Sequence, residues 1–264
     1  MPIPIDLTGR AALVTGGSRG IGRGIALCLA RAGADVAVNY RKDTDAAQQT
    51  VRDIEAVGRR AIAVQADVSD RDAVQHMVVE VAQRLGKLDI LVNNAGMASR
   101  GDPIGKVDPS EMQRVFGAHV FGAFHCVQAA LPHLRKNPRA DIHFISSLGA
   151  LRMPPNYFPY GPAKAAMEGM ARILGKEELR NNIRVNVIAC GLVKTDMGRR
   201  LVKAVAGADI DALDKTYPFG RVCTPEDVGN LSAFLCSETG GYISGHVINL
   251  DGGGPQTEIS SKGW

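Results

Sequence analysis

Seven short runs that are apolar on both faces constrain this chain more than any other feature. They are "AALVT" (11–15), "DVAVNY" (35–40), "AIAVQ" (61–65), "ILVN" (90–93), "IHFIS" (142–146), "RVNVI" (184–188) and "VINL" (247–250), with amphipathic stretches between them. A strand that lacks a polar face must be covered on both sides, which is the situation of a parallel sheet flanked by helices. The intervening segments carry helix-start chemistry. "DPSE" (108–111) and "TPED" (224–227) each supply a capping residue, a proline for the first helical position and an acid for the first turn. Right-handed crossovers then predict an α/β fold with a doubly wound parallel sheet.

The 264 residues, 45% hydrophobic and 22% charged, suit one domain over 1–264, because no linker or repeat divides them. A long mixed segment at about 192–218 interrupts the alternation and is expected to form a lid over the substrate. The net charge of +4 is spread thinly, and its densest patch, "LRKNPR" (134–139), carries no nucleic-acid motif. The start "MPIPIDLTGR" has no basic region followed by an apolar run, and no segment reaches the roughly 18 apolar residues of a membrane span. A cytoplasmic protein with neither nucleic-acid nor membrane partners is expected. Five cysteines without a C-x-x-C pair read as reduced thiols, and the six histidines have no metal-ligand spacing, so no metal site is expected. The tail "PQTEISSKGW" either frays or closes over a neighbouring subunit.

In "LVTGGSRGIGRGIA", Gly16, Gly20 and Gly22 stand between the first strand and the first helix, with Ser18, Arg19 and Ile21 among them. Glycines there let backbone N–H groups approach a pyrophosphate at the positive end of a helix. The second strand ends in Tyr40 and Arg41, where a site built for NAD carries an acid against the ribose hydroxyls. Together with Arg19, Arg41 offers permanent positive charge and planar donors to a 2′-phosphate, which points to NADPH.

"TGGSRGIG", "NNAG" (93–96), "ISS" (145–147), a Tyr-x-x-x-Lys and "LDGG" (250–253) follow one another in an order that resembles the short-chain dehydrogenases/reductases over about residues 7–254. The resemblance implies an oxidoreductase with a single-domain Rossmann fold, a seven-stranded parallel sheet and assembly as a homotetramer or homodimer. It also implies that Asp67 and Val68 bracket the adenine, that Asn94, Ala95 and Gly96 line the cofactor, that Lys164 holds the nicotinamide ribose, and that Thr195 reaches the carboxamide or pyrophosphate. Hydride transfer leaves negative charge on a substrate oxygen, and a tyrosine beside a lysine ammonium is suited to stabilise and protonate it.

"NYFPYGPAK" (156–164) offers two such tyrosines. Tyr157 precedes Lys164 by seven residues, a spacing similar to that of the family's enoyl thioester reductases. "SLGA", the nearby arginine, "AKAAME", Cys190-Gly191 in place of Pro-Gly, and His119 where ketoreductases carry a relay asparagine also lean that way. The first reading is therefore NADPH-dependent reduction of a C=C bond conjugated to a thioester or ketone, with Tyr157 holding the enolate oxygen. The alternative is carbonyl or 3-oxoacyl reduction through Ser147, Tyr160 and Lys164, with His119 in the asparagine position. A third reading is an NADP-binding protein repurposed away from reduction. The substrate would be a small molecule or an acyl thioester.

Overall fold

The computed structural model describes residues 5–253. The first four residues of "MPIPIDLTGR" and all of "PQTEISSKGW" lie outside the described residues. Strands β1 (Ala11–Val14), β2 (Asp35–Tyr40), β3 (Ala61–Gln65), β4 (Ile90–Asn93), β5 (Ala140–Ser147), β6 (Ile183–Cys190) and β7 (Val247–Leu250) form one sheet in the order β3-β2-β1-β4-β5-β6-β7. Every neighbouring pair is parallel, and Val14 is in register with Val38 on one side and Val92 on the other. Chain order reverses between β1 and β4, so the connections leaving these strands diverge and open a crevice at their carboxyl ends.

The helices are α1 (Gly20–Arg31), α2 (Thr44–Glu55), α3 (Arg71–Leu85), α4 (Pro109–Phe116), α5 (Gly122–Leu134), α6 (Gly149–Arg152), α7 (Tyr160–Glu177), α8 (Asp196–Ala206) and α9 (Pro225–Cys236). Val74, Met77 and Val81 of α3, Cys126 and Ala130 of α5, and Met167 and Ala171 of α7 share one buried cluster with Leu13, Leu91, Phe144 and Val185 of the sheet. Ile25 and Leu29 of α1, Val51 and Ile54 of α2, and Val228 and Leu235 of α9 share the other with Val14, Val38, Val92 and Ile188. The predicted starts of α4 and α9 are capped by Asp108 and Thr224, the latter in a reciprocal capping box with Asp227.

A five-residue π turn, Gly117–Phe121, joins α4 to α5. The sequence reading expects no membrane-length segment. Pro109–Leu134 is nonetheless one helical stretch of 26 residues with a window of mean hydropathy 1.2, and it alone among the described residues is long and apolar enough by that measure. Of that window 44% is buried inside the fold, as in a core helix whose apolar residues face the sheet rather than lipid. The expected lid contains α8, begun by the Thr195 side chain accepting from Gly198 N–H, and two 3₁₀ turns, Ile210–Thr216 and Pro218–Gly220. It has a small core of its own, Val202, Ile210, Leu213 and Val222. Lys194 ties it together through Asp214 at 2.6 Å and Asp211 at 2.9 Å.

Helices α1 and α9 cross through glycines. A Cβ on Gly24 would meet the Pro225 carbonyl oxygen at 2.4 Å, and one on Gly229 would meet Cys28 Sγ and the Gly24 carbonyl oxygen at 2.6 Å each. By helix propensity alone Gly229→Ala would stabilise by about 1 kcal/mol. The backbone contact opposes this, and we expect a net loss of about 1–3 kcal/mol, read from urea unfolding; a gain would mean that the crossing relaxes freely.

Candidate active site

At the crevice between β1 and β4 the glycine loop is shaped from beneath by side chains. Gly16 and Gly20 take positive φ, and Asn39 Oδ1 accepts from Gly16 N–H at 3.1 Å while its amide donates to the Ala66 carbonyl at 3.1 Å. Asn94 donates to the Thr15 and Gly16 carbonyls at 2.8 and 3.2 Å, and Thr15 Oγ1 accepts from the Asn94 and Ala95 N–H groups at 3.0 Å. "TGGSRGIG" and "NNAG" thus form one locked unit. Asn39 and Thr15 were not singled out in the sequence, although a polar residue inside "VAVNY" is a signal that this strand serves something other than the core.

This unit fits a dinucleotide. Arg19 is the N-cap of α1, with no side-chain cap and no acid in the first turn; α5, α6 and α7 share this, but α1 alone of them opens from the glycine loop, and α2, α3, α4, α8 and α9 are each capped by an aspartate or threonine. The positive end of α1 is therefore left for an anion. A Cβ on Gly20 would come to 3.4 Å from Thr195 Cγ2, so the lid's first residue and the loop face each other across the place where a pyrophosphate is expected. Arg19 and Arg41 are exposed, and Arg41 lies 3.7 Å from Asp67, whose carboxylate accepts from Ser69. Ser18 and Val68 are buried beside them, and Ile21 is partly buried. Tyr40, the last residue of β2, is 9% exposed and packs with the core on the α1 and α2 face, and the exposed Arg41 follows it.

On the other side of the crevice the structure gathers Ser147, Tyr160 and Lys164. Ser147 ends β5, and Tyr160 begins α7 with Pro159 as its N-cap. The Ser147 hydroxyl accepts from the Gly149 N–H at 3.1 Å and stands near enough to the Tyr160 phenol to draw its pKa down. Lys164 Nζ is 5.7 Å from the Tyr160 ring centre and donates to the Ile145 carbonyl at 2.6 Å. Burial holds the lysine pKa down to about 8. Burial also pushes the Tyr160 phenol well above its usual value, with Ser147 acting weakly against it, so this tyrosine carries its proton throughout the neutral range.

Tyr157 takes a different place. Its ring lies over Gly149 and meets the Tyr160 ring edge-on at 5.8 Å, with Arg152 close enough to act on its hydroxyl. Arg152 also lies 3.8 Å from Asp251. Tyr157 thus lines the approach to Tyr160, and Tyr160 occupies the place beside Ser147 and Lys164.

His119 sits in the π turn, 2% exposed, with its ring edge-on to Tyr160 at 5.4 Å. Its Nε2 lies 3.0 Å from the Met97 N–H and 2.8 Å from the Met97 carbonyl, accepting from the first or donating to the second according to tautomer. A Cβ on Gly96 would strike the imidazole at 2.1 Å, so the glycine of "NNAG" is what admits the ring. Desolvation, with the Lys164 charge adding to it, holds the His119 pKa down at about 3.

A family model described as "Enoyl-(Acyl carrier protein) reductase" matches residues 16–254. The chain belongs to the short-chain dehydrogenase/reductase family. Within this family it is 38% identical to the hydroxynaphthalene reductase-like protein Arp2 of Metarhizium robertsii, over 95% of this chain and 96% of that one. It is 37% identical to the 3-oxoacyl-[acyl-carrier-protein] reductase FabG of Staphylococcus aureus, over 92% and 97%. A short-chain dehydrogenase from Burkholderia cenocepacia, solved in complex with NADP, superposes with a TM-score of 0.85 at 38% identity, over 94% of this chain and 98% of that one. As a short-chain dehydrogenase/reductase the chain is an oxidoreductase with a nicotinamide dinucleotide site, and the glycine cradle, the uncapped α1 and Lys164 are the parts of the fold that such a cofactor requires.

The buried His119 has a consequence for stability. Its folded pKa of about 3 lies below the ordinary value of 6.5, so the unfolded chain binds the extra proton between these limits. The stabilisation is complete above about pH 6.5 and is lost as the pH falls towards about 3. His119→Asn should lack this dependence, and the gap between wild-type and variant unfolding free energies should narrow by about 2 kcal/mol between pH 7 and pH 5. Parallel unfolding curves at both pH values would refute a neutral, buried His119.

Proposed function

We propose that this protein is an NADPH-dependent carbonyl reductase acting on a ketone or 3-oxoacyl group, with Ser147, Tyr160 and Lys164 as its reactive residues. The observation that carries this reading is the place of Tyr160 at the head of α7, with Lys164 Nζ 5.7 Å from its ring centre and Ser147 near enough to act on its phenol, while Tyr157 lies against Gly149. The relatives named for hydroxynaphthalene and 3-oxoacyl reduction support the same side. The enoyl label belongs to the matching family model, and neither of these two relatives carries it. Carbonyl reduction is therefore preferred to the double-bond reduction through Tyr157 that the local sequence suggests.

When bound, the nicotinamide cofactor supplies the hydride. Ser147 would donate a hydrogen bond to the substrate carbonyl oxygen and hold it against Tyr160. Tyr160, a neutral phenol, would give its proton to that oxygen as negative charge develops there. Lys164 would hold the ribose and favour the tyrosinate left behind. Arg19 and Arg41 would hold the 2′-phosphate. His119, uncharged, would keep the loop carrying Gly96 and Met97 in place beneath the ring of Tyr160. Asp67 and Val68 remain the candidates for the adenine pocket. The substrate would be a small molecule or an acyl thioester, in a cytoplasmic setting. Exposed Phe121, Phe124 and Ile173 support assembly with further copies of the chain as a homodimer or homotetramer.

Wild type should oxidise NADPH with an acetoacetyl thioester and not with a crotonyl thioester. Tyr160→Phe should lose at least about 100-fold in kcat, and Tyr157→Phe less than about tenfold. Consumption of the crotonyl compound, with Tyr157→Phe as the crippled variant, would restore the double-bond reading. For the cofactor, replacing Arg19 and Arg41 together by alanine should weaken NADPH binding about 10–100-fold and NADH binding far less, as read by fluorescence titration. Equal losses for both dinucleotides would remove the 2′-phosphate from the role of these arginines.

A further inference from the structure

Three consecutive residues of β5 engage three residues spaced by four along α7. Ser147 stands near enough to Tyr160 to act on its phenol, the Ile145 carbonyl accepts from Lys164 at 2.6 Å, and Ser146 Oγ donates to Glu168 Oε1 at 2.7 Å. Tyr160, Lys164 and Glu168 therefore form one stripe of the helix, at i, i+4 and i+8. The first two belong to the reactive group already described. Glu168 does not, yet it is only 9% exposed and its hydrogen bond to Ser146, 3% exposed, lies inside the protein. A buried carboxylate is costly unless something offsets its desolvation. Ser146 and the Arg172 guanidinium, 3.9 Å from the other carboxylate oxygen, offset part of it. The remaining partner in reach of its charge is the buried cation one turn away on the same helix.

We infer that Glu168 is a positioning residue: fixed by Ser146, its buried carboxylate seats α7 on β5 and keeps the neighbouring Lys164 in its ammonium form. Burial opposes that form and draws the lysine down to about 8, while Cys190 and Glu168 favour it. The other titratable groups around Lys164 and Glu168 are Tyr160 on the same helix, His119 in the π turn, Cys190 on β6, and Arg172 beyond Glu168. Tyr160 is a neutral phenol and His119 a neutral imidazole in the range where Lys164 titrates. The Cys190 thiol, pushed up to about 12 by burial, is uncharged there as well. Arg172 carries the sign that would expel a second cation. Glu168 is the buried negative charge that remains. With Gln in its place α7 would keep an acceptor for Ser146 but lose the charge, and Lys164 would become neutral at a lower pH.

The inference rests on Lys164 acting as a cation in the proposed reductase, but its test reads the lysine directly and needs no turnover. Full-length enzyme carrying isotope-labelled lysine is titrated by NMR, with the Lys164 resonance assigned by its disappearance in Lys164→Arg. Wild type should titrate near the value of about 8. Glu168→Gln should titrate about one unit lower, and Ser146→Ala, which keeps the charge and loses the hydrogen bond, within a few tenths of wild type. The alkaline limb of the NADPH-dependent rate, where a rate is found, should move with the Glu168→Gln titration. A Lys164 midpoint that stays in place in Glu168→Gln would overturn the inference, whatever happens to the rate. If Glu168→Gln does not fold, Glu168→Asp withdraws the carboxylate by one methylene and should lower the midpoint by a smaller step; an unmoved midpoint there overturns it equally.

Discussion

A parallel sheet that must be covered on both faces leaves the strand ends as the place where polar chemistry can collect. In this chain the two faces are closed by α1, α2 and α9 on one side and α3, α5 and α7 on the other. The reversal of strand order between β1 and β4 then parts the connections at one edge and makes the crevice. The residues singled out for the site gather at that edge: the loop after β1, "NNAG" after β4, Ser147 at the end of β5, and Thr195 after β6. The close crossing of α1 and α9 through Gly24 and Gly229 belongs to the same constraint, because it sets how near α1 lies to the sheet whose loop it begins.

The site itself depends on enclosed charge. Lys164 is 4% exposed and is held by a backbone carbonyl, so its ammonium survives only through the groups arranged around it. The same low-dielectric surroundings keep His119 neutral and Tyr160 protonated. Burial here decides the protonation states of the groups that surround the lysine.

Much of the fold was legible before any coordinates. The seven apolar runs became the seven strands, and Asp108 and Thr224 cap the helices they were expected to begin. The glycine loop and "NNAG" lie against each other as their order implied. The reading failed where partners come from distant parts of the chain. The π turn at His119 joins α4 and α5 into one long helix, which no residue spacing in the sequence signals.

The two tyrosines mark the division most sharply. By itself the sequence determined the fold class, the dinucleotide cradle and the presence of a lysine with a tyrosine, because these follow from local periodicity, turn chemistry and spacing within one segment. Which tyrosine serves that lysine was left open, since four and seven residues are both compatible with a helix entered through prolines. The tertiary structure decided the contacts: α7 begins at Tyr160, β5 brings Ser147 to it, and Gly149 leaves room for the ring of Tyr157 to lie aside. The physical reason is that the approach of Ser147 to Tyr160, or the hydrogen bond between Ser146 and Glu168, depends on how a helix is seated on a strand, and that seating is set by the packing of the whole face rather than by the residues that use it.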